Sequence, residues 1–428
     1  MGYLLLFLLI IELITFYYFN GKNVVSPSFL GCALFLLSTV MYLSAGEYYQ
    51  YELHIETVLV IVFLLCCIFL GEVFANRIQI RRKNSIQVAQ VALTTRVVCV
   101  LLAIFVFLVS ILYFYEVYLF SLSVGNTAGQ FFTMTKYVRE ARLNGIASFD
   151  AGIISNQGGV VSLCILYMCV YAICAHKNRT GKIYWRYFLP IIAYFPHVIA
   201  TDNRTDLLRT VAICTIIVFV FIKQKQGWKK QGNAKIIFIG MGAVCAFLVA
   251  FRWLGYRTEA SLRSEVWNNI TAYTSSSLVG LDIYLQNGEA PNVLFGERTL
   301  SGIYNILRQW GFPIPVVPAF EEFYTYAHGV SNAYTTFKAY IKDYTMVGAA
   351  VAMFLWGAVI RSAIRRIKET GVSFVRVSVL GMMLYPVCML SIADTTSAFL
   401  SIATVYTLVY LFLLDNFVIR RRTRIRIQ

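Results

Sequence analysis

Charged residues are scarce in this chain, at 14% of 428 residues, where a soluble domain carries about 25%. Histidine and proline are also rare, with 4 and 8 copies, while 59% of the residues are hydrophobic. The mean hydropathy is +0.67. This composition argues against an ordinary soluble domain and predicts an integral membrane protein.

Several sequence motifs are absent. The chain has no G-x-x-x-x-G-K-[ST], no G-x-G-x-x-G after a strand and no H-E-x-x-H, which argues against a nucleotide-driven enzyme and a metalloprotease. No D-x-D pair is available to hold the metal of a nucleotide sugar. The ten cysteines all fall in apolar stretches, so no disulfide framework outside the membrane is predicted. We expect no metal and no cofactor.

Apolar stretches of about 17–25 residues predict an all-α polytopic bundle of about eleven transmembrane helices. The first stretch has no basic residue before it and is predicted to be a retained span. The span 184–200 is short, contains Pro190 and Pro196, and is predicted to be broken or tilted. The predicted spans are 3–20, 28–45, 57–75, 97–117, 153–174, 184–200, 205–222, 236–254, 345–361, 372–391 and 397–415.

Basic residues alternate between loops. One set of alternate loops and the C-terminal tail hold 25 of the 37 Lys and Arg residues, and the other set holds most of the acids. The positive-inside rule places the basic set in the cytoplasm, the N-terminus outside and the C-terminal tail inside. The net charge of +16 is then a topology signal beside anionic lipids, and we expect no nucleic-acid partner.

Two outer segments are too long to be simple connectors. Residues 1–254 are predicted to form an N-terminal bundle of about eight spans that includes the first outer segment, 118–152. Residues 255–344 form the long outer segment, with short amphipathic helices and a weakly helical stretch near its start. Residues 345–428 add about three spans and the basic tail.

The sequence His197–Arg209 marks a helix that begins at the outer face, because Thr, Asp and Asn at 201–203 are favoured N-cap types. The positive end of that helix and Arg204 predict an anion site. Arg209 lies deeper and needs a partner or a ligand. A purely structural alternative is that Arg209 pairs with Asp206 and caps its own helix.

Arg252 and Arg257 lie at the outer end of another predicted span. A lone arginine there is usually an anchor to headgroups. Four arginines at one depth, on two helix ends, instead suit bidentate recognition of a diphosphate. A membrane enzyme meets that group mostly as the headgroup of a polyprenyl lipid.

His328 is the only histidine of the long outer segment and could accept a proton near neutral pH. Asn332 and Thr336 follow at i+4 and i+8, near one face if the segment is helical. A surface histidine with a local hydrogen bond is the structural alternative.

Acids in the same segment are alternative bases: Glu321, Glu322 and Asp343. Glu297 and Arg298 could equally form a structural pair or belong to the site. The sequence leaves the choice among these bases open.

These motifs resemble those of the bacterial polysaccharide repeat-unit polymerases (O-antigen, capsule and exopolysaccharide), which are related to the O-antigen ligases. TDNRTDLLR is similar to the small-residue–Arg motif of that family, although Asn203 stands where the family often has Gly. His328, Asn332, Asp343 and Gly348 resemble the end of the family's outer loop. The topology is similar over nearly the whole chain, and the motifs over about thirty residues.

The resemblance implies a GT-C-like, metal-independent glycosyltransferase in the bacterial cytoplasmic membrane. A growing glycan on polyprenyl diphosphate would pass to the non-reducing end of a new lipid-linked unit. Its partners would be those lipid-linked oligosaccharides, the bilayer, a chain-length regulator and a flippase. The expected catalytic residues are Arg204, His328 and Glu321, and the expected substrate-binding residues are Arg209, Arg252, Arg257, Arg298, Asn332 and Asp343.

Three other functions are compatible with parts of the pattern. An O-antigen ligase would differ only in its acceptor. A secondary transporter would show pseudo-symmetric halves and ionisable groups near the midplane. A lipid-linked oligosaccharide flippase would have short outer loops and a deep cationic cavity, unlike this chain.

Overall fold

The long apolar stretches become helices because a helix satisfies every backbone hydrogen bond within itself, as the bilayer requires. The computed structural model describes residues 1–77, 95–127, 129, 131, 134–143, 145–147, 149–201, 204–228, 240, 242, 264–288, 292, 294–317, 321–327 and 329–420. Within these residues, seven helices are long and apolar enough to cross a membrane. The chain is therefore a mostly helical, membrane-embedded protein.

Six of these seven helices are α1 (Gly2–Phe19), α2 (Pro27–Ser44), α4 (Ile55–Arg77), α5 (Arg96–Ser123), α7 (Ile153–Thr180) and α13 (Thr336–Thr370). The seventh is α16 (Ile402–Leu414), extended by a π-helical turn, Asp415–Arg420. The other helices are α3 (Gly46–Tyr49), α6 (Met134–Leu143), α8 (Phe188–Ala193), α9 (Phe195–Ala200), α10 (Arg204–Lys225), α11 (Ser264–Asn287), α12 (Ser301–Gln309), α14 (Phe374–Met389) and α15 (Thr396–Phe399).

The predicted count of eleven spans stays a prediction. The predicted spans 205–222 and 372–391 correspond to α10 and to the 16-residue α14, while 236–254 lies almost wholly outside the described residues. The predicted break in 184–200 is confirmed. A 3-10 turn (Trp185–Tyr187) leads into two six-residue helices, α8 and α9, which meet at Tyr194 just before Pro196.

Helices α4 and α13 pack against each other along much of their length. A Cβ added to Gly71 would lie 1.9 Å from the carbonyl oxygen of Phe354, and one added to Gly357 would lie 2.0 Å from that of Ile68. Only glycine permits this approach, as in other membrane helix pairs with small residues at the contact. The α4–α13 pair is therefore a close-packed element of the bundle.

The ends of several helices that carry basic loops meet at one end of the bundle. Glu72 of α4 is fully buried and accepts hydrogen bonds from Asn20 and from the backbone and hydroxyl of Ser28. Arg361 of α13 donates to Asn76 at 2.7 Å. This grouping agrees with the alternation of basic loops in the sequence, and the assignment of that end to the cytoplasm stays a prediction.

Helix α11 differs from the weakly helical outer stretch that the sequence predicts. It has 24 residues and packs against α2 and α4. Ser275 and Ser277 on it are fully buried: Tyr49 and Ser275 share a hydrogen bond of 3.0 Å, and Ser277 donates to the carbonyl of Ser391. Part of the segment 255–344 is therefore core, because its serines find partners inside the bundle.

Other described residues of the segment 255–344 also form specific elements. Strands β1 (Tyr324–Tyr326) and β2 (Gly329–Ser331) form an antiparallel hairpin. The helical spacing predicted after position 328 is therefore wrong, because Gly329–Ser331 form a strand and α13 starts only at Thr336. Gly280 of α11 permits the close approach, since a Cβ there would lie 2.7 Å from the carbonyl oxygen of Ala333.

Candidate functional site

A cavity lined by both polar and apolar side chains lies where α5, α7, α9, α10 and residues 398–403 meet. Its volume is about 370 Å³, within the range of small-molecule sites. The first turns of α10 and α7 both contribute side chains to its wall. We call this space the Arg209 cavity.

His197 lies in the wall of the Arg209 cavity. Its imidazole packs between the rings of Tyr113 and Tyr194, at centroid distances of 4.3 and 4.9 Å. A Cβ on Gly159 would lie 3.1 Å from the imidazole Cε1 atom. The Nδ1 atom is buried and has no hydrogen-bond partner within the described part of the chain. The ring is therefore held in place by stacking rather than by hydrogen bonds.

Ser155 also lines the cavity. It is fully buried, and its hydroxyl has no partner among the residues that the structure describes. Buried polar groups are normally bonded to protein, water or a ligand. Asn156 adds a further neutral donor and acceptor to the same wall, while the hydroxyls of Thr201 and Ser401 donate to the carbonyls of His197 and Ala398. The Ser155 hydroxyl and the Nδ1 atom of His197 are thus hydrogen-bonding groups that the described residues leave unused.

Arg209 and Asp206 form an ion pair of 3.0 Å at the start of α10. The structural alternative considered for Arg209 is therefore present in the structure. Both side chains stay partly accessible, at 31% and 45%, and both line the cavity. Arg209 also borders a second, smaller cavity with Tyr167 and Tyr385. The guanidinium can reach a ligand from this position near the positive end of the helix.

Part of the segment 255–344 packs against residues 396–401, which border the cavity. A Cβ on Gly302 of α12 would lie 2.5 Å from the carbonyl oxygen of Leu400. Phe399 packs on Trp356 at 5.6 Å, while Ala398 and Ser401 face the cavity. The Arg209 cavity and the outer segment therefore share one short stretch of chain.

A second group of charges lies in the segment 255–344. Glu321 pairs with Arg298 at 3.1 Å through one carboxylate oxygen and with Lys338 at 2.9 Å through the other. The Lys338 side chain is only 2% exposed, and its ammonium lies 3.2 Å from the ring centroid of Tyr334. We call Arg298, Glu321 and Lys338 the loop cluster. Both carboxylate oxygens of Glu321 are thus already paired with cations.

Asp343 anchors the turn at 292–299. Its carboxylate accepts hydrogen bonds from the Asn292 amide at 2.7 Å, the backbone N–H of Arg298 at 3.1 Å, and both the backbone and hydroxyl of Thr299 at 2.8 Å. It is also buried. These contacts give Asp343 a structural role, and its predicted contact with substrate stays a prediction.

Asp394, which the sequence analysis did not select, lies in the turn between α14 and α15. Its carboxylate accepts the backbone N–H of Thr396 at 3.0 Å. Burial raises the pKa of Asp394 to about 6, and the nearby carboxylates of Asp343 and Glu321 add to the rise. An Asp two residues before the first threonine of a helix is a capping signal. That signal in the sequence points to Asp394.

A third acid, Asp282 of α11, is fully buried, and several groups donate hydrogen bonds to its carboxylate. It accepts hydrogen bonds from Tyr51 at 2.7 Å, from the backbone of His54 at 2.8 Å and from Thr57 at 2.6 Å. The His54 ring also lies 2.7 Å away, and this hydrogen bond raises the pKa of His54. The cluster fastens the chain before α4 to α11.

The other predicted site residues are only partly described. Arg204 begins α10, but its side chain lies outside what the structure describes, as do Arg252, Arg257 and His328 entirely. Asn332 follows β2 and is half-buried. The structure brings Arg298 and Glu321 together and places Arg209 in a separate cavity. No group of three His, Cys, Asp or Glu side chains suited to a metal occurs among the described residues.

No protein-family model, no curated protein and no solved structure matches the chain.

Proposed function

We propose that this chain polymerises polyprenyl-diphosphate-linked oligosaccharide units at the outer face of the cytoplasmic membrane. The growing glycan is transferred from its lipid diphosphate to the non-reducing end of a new lipid-linked unit. The observation that carries the proposal is the Arg209 cavity. It combines one reachable guanidinium with unused hydrogen-bonding groups and lies beside an ordered outer segment.

Arg209 is the group that would bind the diphosphate. Breaking the bond between the sugar C1 and the phosphate oxygen leaves negative charge on the departing diphosphate. A guanidinium at the helix start stabilises that charge more in the transition state than in the ground state. Asp206 holds the guanidinium in place at 3.0 Å until the anion competes for it. Arg204 begins the same helix and would act with Arg209.

The neutral part of the cavity suits a sugar. Sugar rings carry hydroxyl groups that need donors and acceptors, and they have apolar faces that pack on aromatic rings. Ser155 and Asn156 supply the first kind of contact, and the rings of Tyr113 and Tyr194 supply the second. No nucleotide is needed, because the reacting bond energy is already in the sugar–diphosphate link.

The first experiment is deletion of the gene in its host, with surface glycans separated by size on a gel. We expect loss of the long-chain ladder while single units still reach the surface. An unchanged ladder would contradict the proposal. Complete loss of surface units, with lipid-linked units trapped inside, would indicate a flippase. Loss of long chains from the final acceptor, with polymer still built on its lipid carrier, would indicate a ligase.

Complementation with an Arg209 variant tests the carrying observation. We expect Arg209→Gln to reduce the ladder by about 100-fold or more, in the range seen when one transition-state donor is removed. Since this change leaves Asp206 without its cation, the double variant Asp206→Asn/Arg209→Gln is the matched control for charge balance. Ladder formation by the double variant at normal membrane levels would mean that the guanidinium is not needed.

A further inference from the structure

The transfer reaction needs a group that takes the proton of the attacking hydroxyl. Two acids that the sequence analysis considered are already engaged. Glu321 is paired with Arg298 and Lys338, and Asp343 accepts hydrogen bonds from four groups. Neither carboxylate lines the Arg209 cavity. A proton acceptor inside the cavity must therefore be a different residue.

His197 has the geometry of such an acceptor. It lies in the wall of the same cavity as Arg209, and its ring is fixed by two aromatic neighbours. Its Nδ1 atom is buried without a hydrogen bond from the described residues. The fully buried hydroxyl of Ser155, also without a partner there, stands in the same wall. The hydroxyl groups of an acceptor sugar are suitable partners for these groups.

We propose that the Arg209 cavity holds the acceptor sugar and that His197 is the catalytic residue that takes the proton of its attacking hydroxyl. This inference rests on the proposed polymerase function. The acceptor oxygen forms a bond to C1 of the donor sugar, and the bond from C1 to the phosphate oxygen breaks with its electron pair on polyprenyl diphosphate. The hydroxyl proton moves to the neutral imidazole, which later releases it to water.

The groups around His197 favour this residue over its neighbours as the proton acceptor. From α10, the facing groups are Asp206 and Arg209, which pair with each other. From α5 and the α8–α9 bend, they are Tyr113 and Tyr194. From α7 they are the uncharged Ser155 and Asn156. Asp206 is already engaged by the guanidinium of Arg209 at 3.0 Å, whereas the Nδ1 atom of His197 has no partner among the described residues.

Glu116 stands one helical turn from Tyr113 on α5. Its carboxylate accepts the backbone N–H of Gly152 at 3.0 Å, and it does not line the cavity. Glu116 therefore influences the cavity only through its charge. It must still be considered when a pH profile is interpreted.

The test uses the deletion host complemented with full-length variants at matched membrane levels. His197→Asn and His197→Gln place amide groups near the two ring nitrogens, and neither amide accepts a proton near neutral pH. We expect both to lower ladder formation by about 100-fold or more, the usual contribution of a general base. His197→Phe keeps the aromatic stack without any nitrogen and should be equally inactive. His54→Gln, at a half-exposed histidine far along the chain, is the matched control.

A second readout separates catalysis from structure. In membranes supplied with extracted lipid-linked units, the wild-type rate should fall as the pH is lowered towards about 4. The imidazole must be neutral to accept a proton, and burial lowers the pKa of His197 to about 4. The residual rate of His197→Ala should lose that dependence and should rise when imidazole is added to the buffer. A merely structural role would give no such rescue.

The experiments distinguish failure of the His197 role from failure of the proposed function. If gene deletion leaves the ladder unchanged, the polymerase proposal fails and this inference fails with it. If deletion removes the ladder but His197→Asn, His197→Gln or His197→Phe restores it within about tenfold, only the role of His197 is overturned. Should the histidine variants be missing from the membrane, a wild-type rate that does not fall as the pH is lowered to about 4 would overturn it equally. Loss of activity with imidazole rescue supports it.

Discussion

The loop cluster and the Arg209 cavity both contain charged groups, but they satisfy them in opposite ways. In the loop cluster, Glu321 receives one cation on each oxygen, and Lys338 is almost fully buried against a tyrosine ring. In the cavity, the imidazole of His197 and the hydroxyl of Ser155 are left without hydrogen bonds from the described residues. The first arrangement orders a chain segment, and the second is suited to a ligand.

This difference matters because a buried charge and an unused buried hydroxyl have different energetic consequences. Removing one partner of a buried ion pair leaves an uncompensated charge and is strongly destabilising. An unpaired hydroxyl already lacks its partner in the folded protein, so deleting it removes no bond. Stability measurements can therefore separate the two regions without any activity assay.

The largest effect should come from breaking the loop cluster. Glu321→Gln leaves Lys338 buried at 2% exposure without its carboxylate, and we expect a loss of about 3 kcal/mol in the free energy of unfolding. The measurement is the thermal midpoint of detergent-purified protein. The double variant Glu321→Gln/Lys338→Met should recover much of the loss, since it removes both charges. An unchanged midpoint in Glu321→Gln would mean that Glu321 is free for another role, such as catalysis.

A smaller effect, with a sign that depends on pH, should come from Asp394. Its raised pKa of about 6 means that the folded protein holds the proton more tightly than the unfolded chain. Stability from this group is therefore present at low pH and is lost as the pH rises through about 6. We expect Asp394→Asn to raise the thermal midpoint at about pH 8 and to change it little at about pH 5. Equal shifts at both values would contradict the burial argument.

Much of the membrane architecture could be predicted from the sequence, because hydropathy and bilayer thickness leave few alternatives. The break between α8 and α9 was signalled by Pro190 and Pro196. The burial of α11 was not, since Ser275 and Ser277 resemble loop formers until their partners on other elements are known. Local composition could not identify those partners.

The candidate site also has one part that the sequence predicted and another part that it did not. Arg209 was selected because a cation at that depth needs a partner, and both a partner and a cavity are present. The sequence did not predict a role for His197, which only begins the motif His197–Arg209. Its stacking on Tyr113 joins positions far apart in the chain. The two pairings of Glu321 likewise join distant residues. Such contacts depend on tertiary structure, which spacing alone does not encode.

The smallest effect should come from the Arg209 cavity. It is the most direct test of the difference between the cavity and the loop cluster. Ser155→Ala removes a hydroxyl without a partner among the described residues, so the free energy of unfolding should change by no more than about 0.5 kcal/mol. The matched control is Thr57→Val, which keeps the volume but deletes the 2.6 Å hydrogen bond to Asp282 and should cost about 1–2 kcal/mol.

Both variants are compared by thermal midpoint in the same detergent and by ladder formation in the deletion host. We expect Ser155→Ala to keep its stability and lose part of its polymerising activity, because the acceptor sugar loses a hydrogen-bond partner. We expect Thr57→Val to lose stability and, at matched membrane levels, to keep its activity. A Ser155→Ala protein as destabilised as Thr57→Val would mean that the hydroxyl serves the fold, and the cavity would then lose its distinction from the loop cluster.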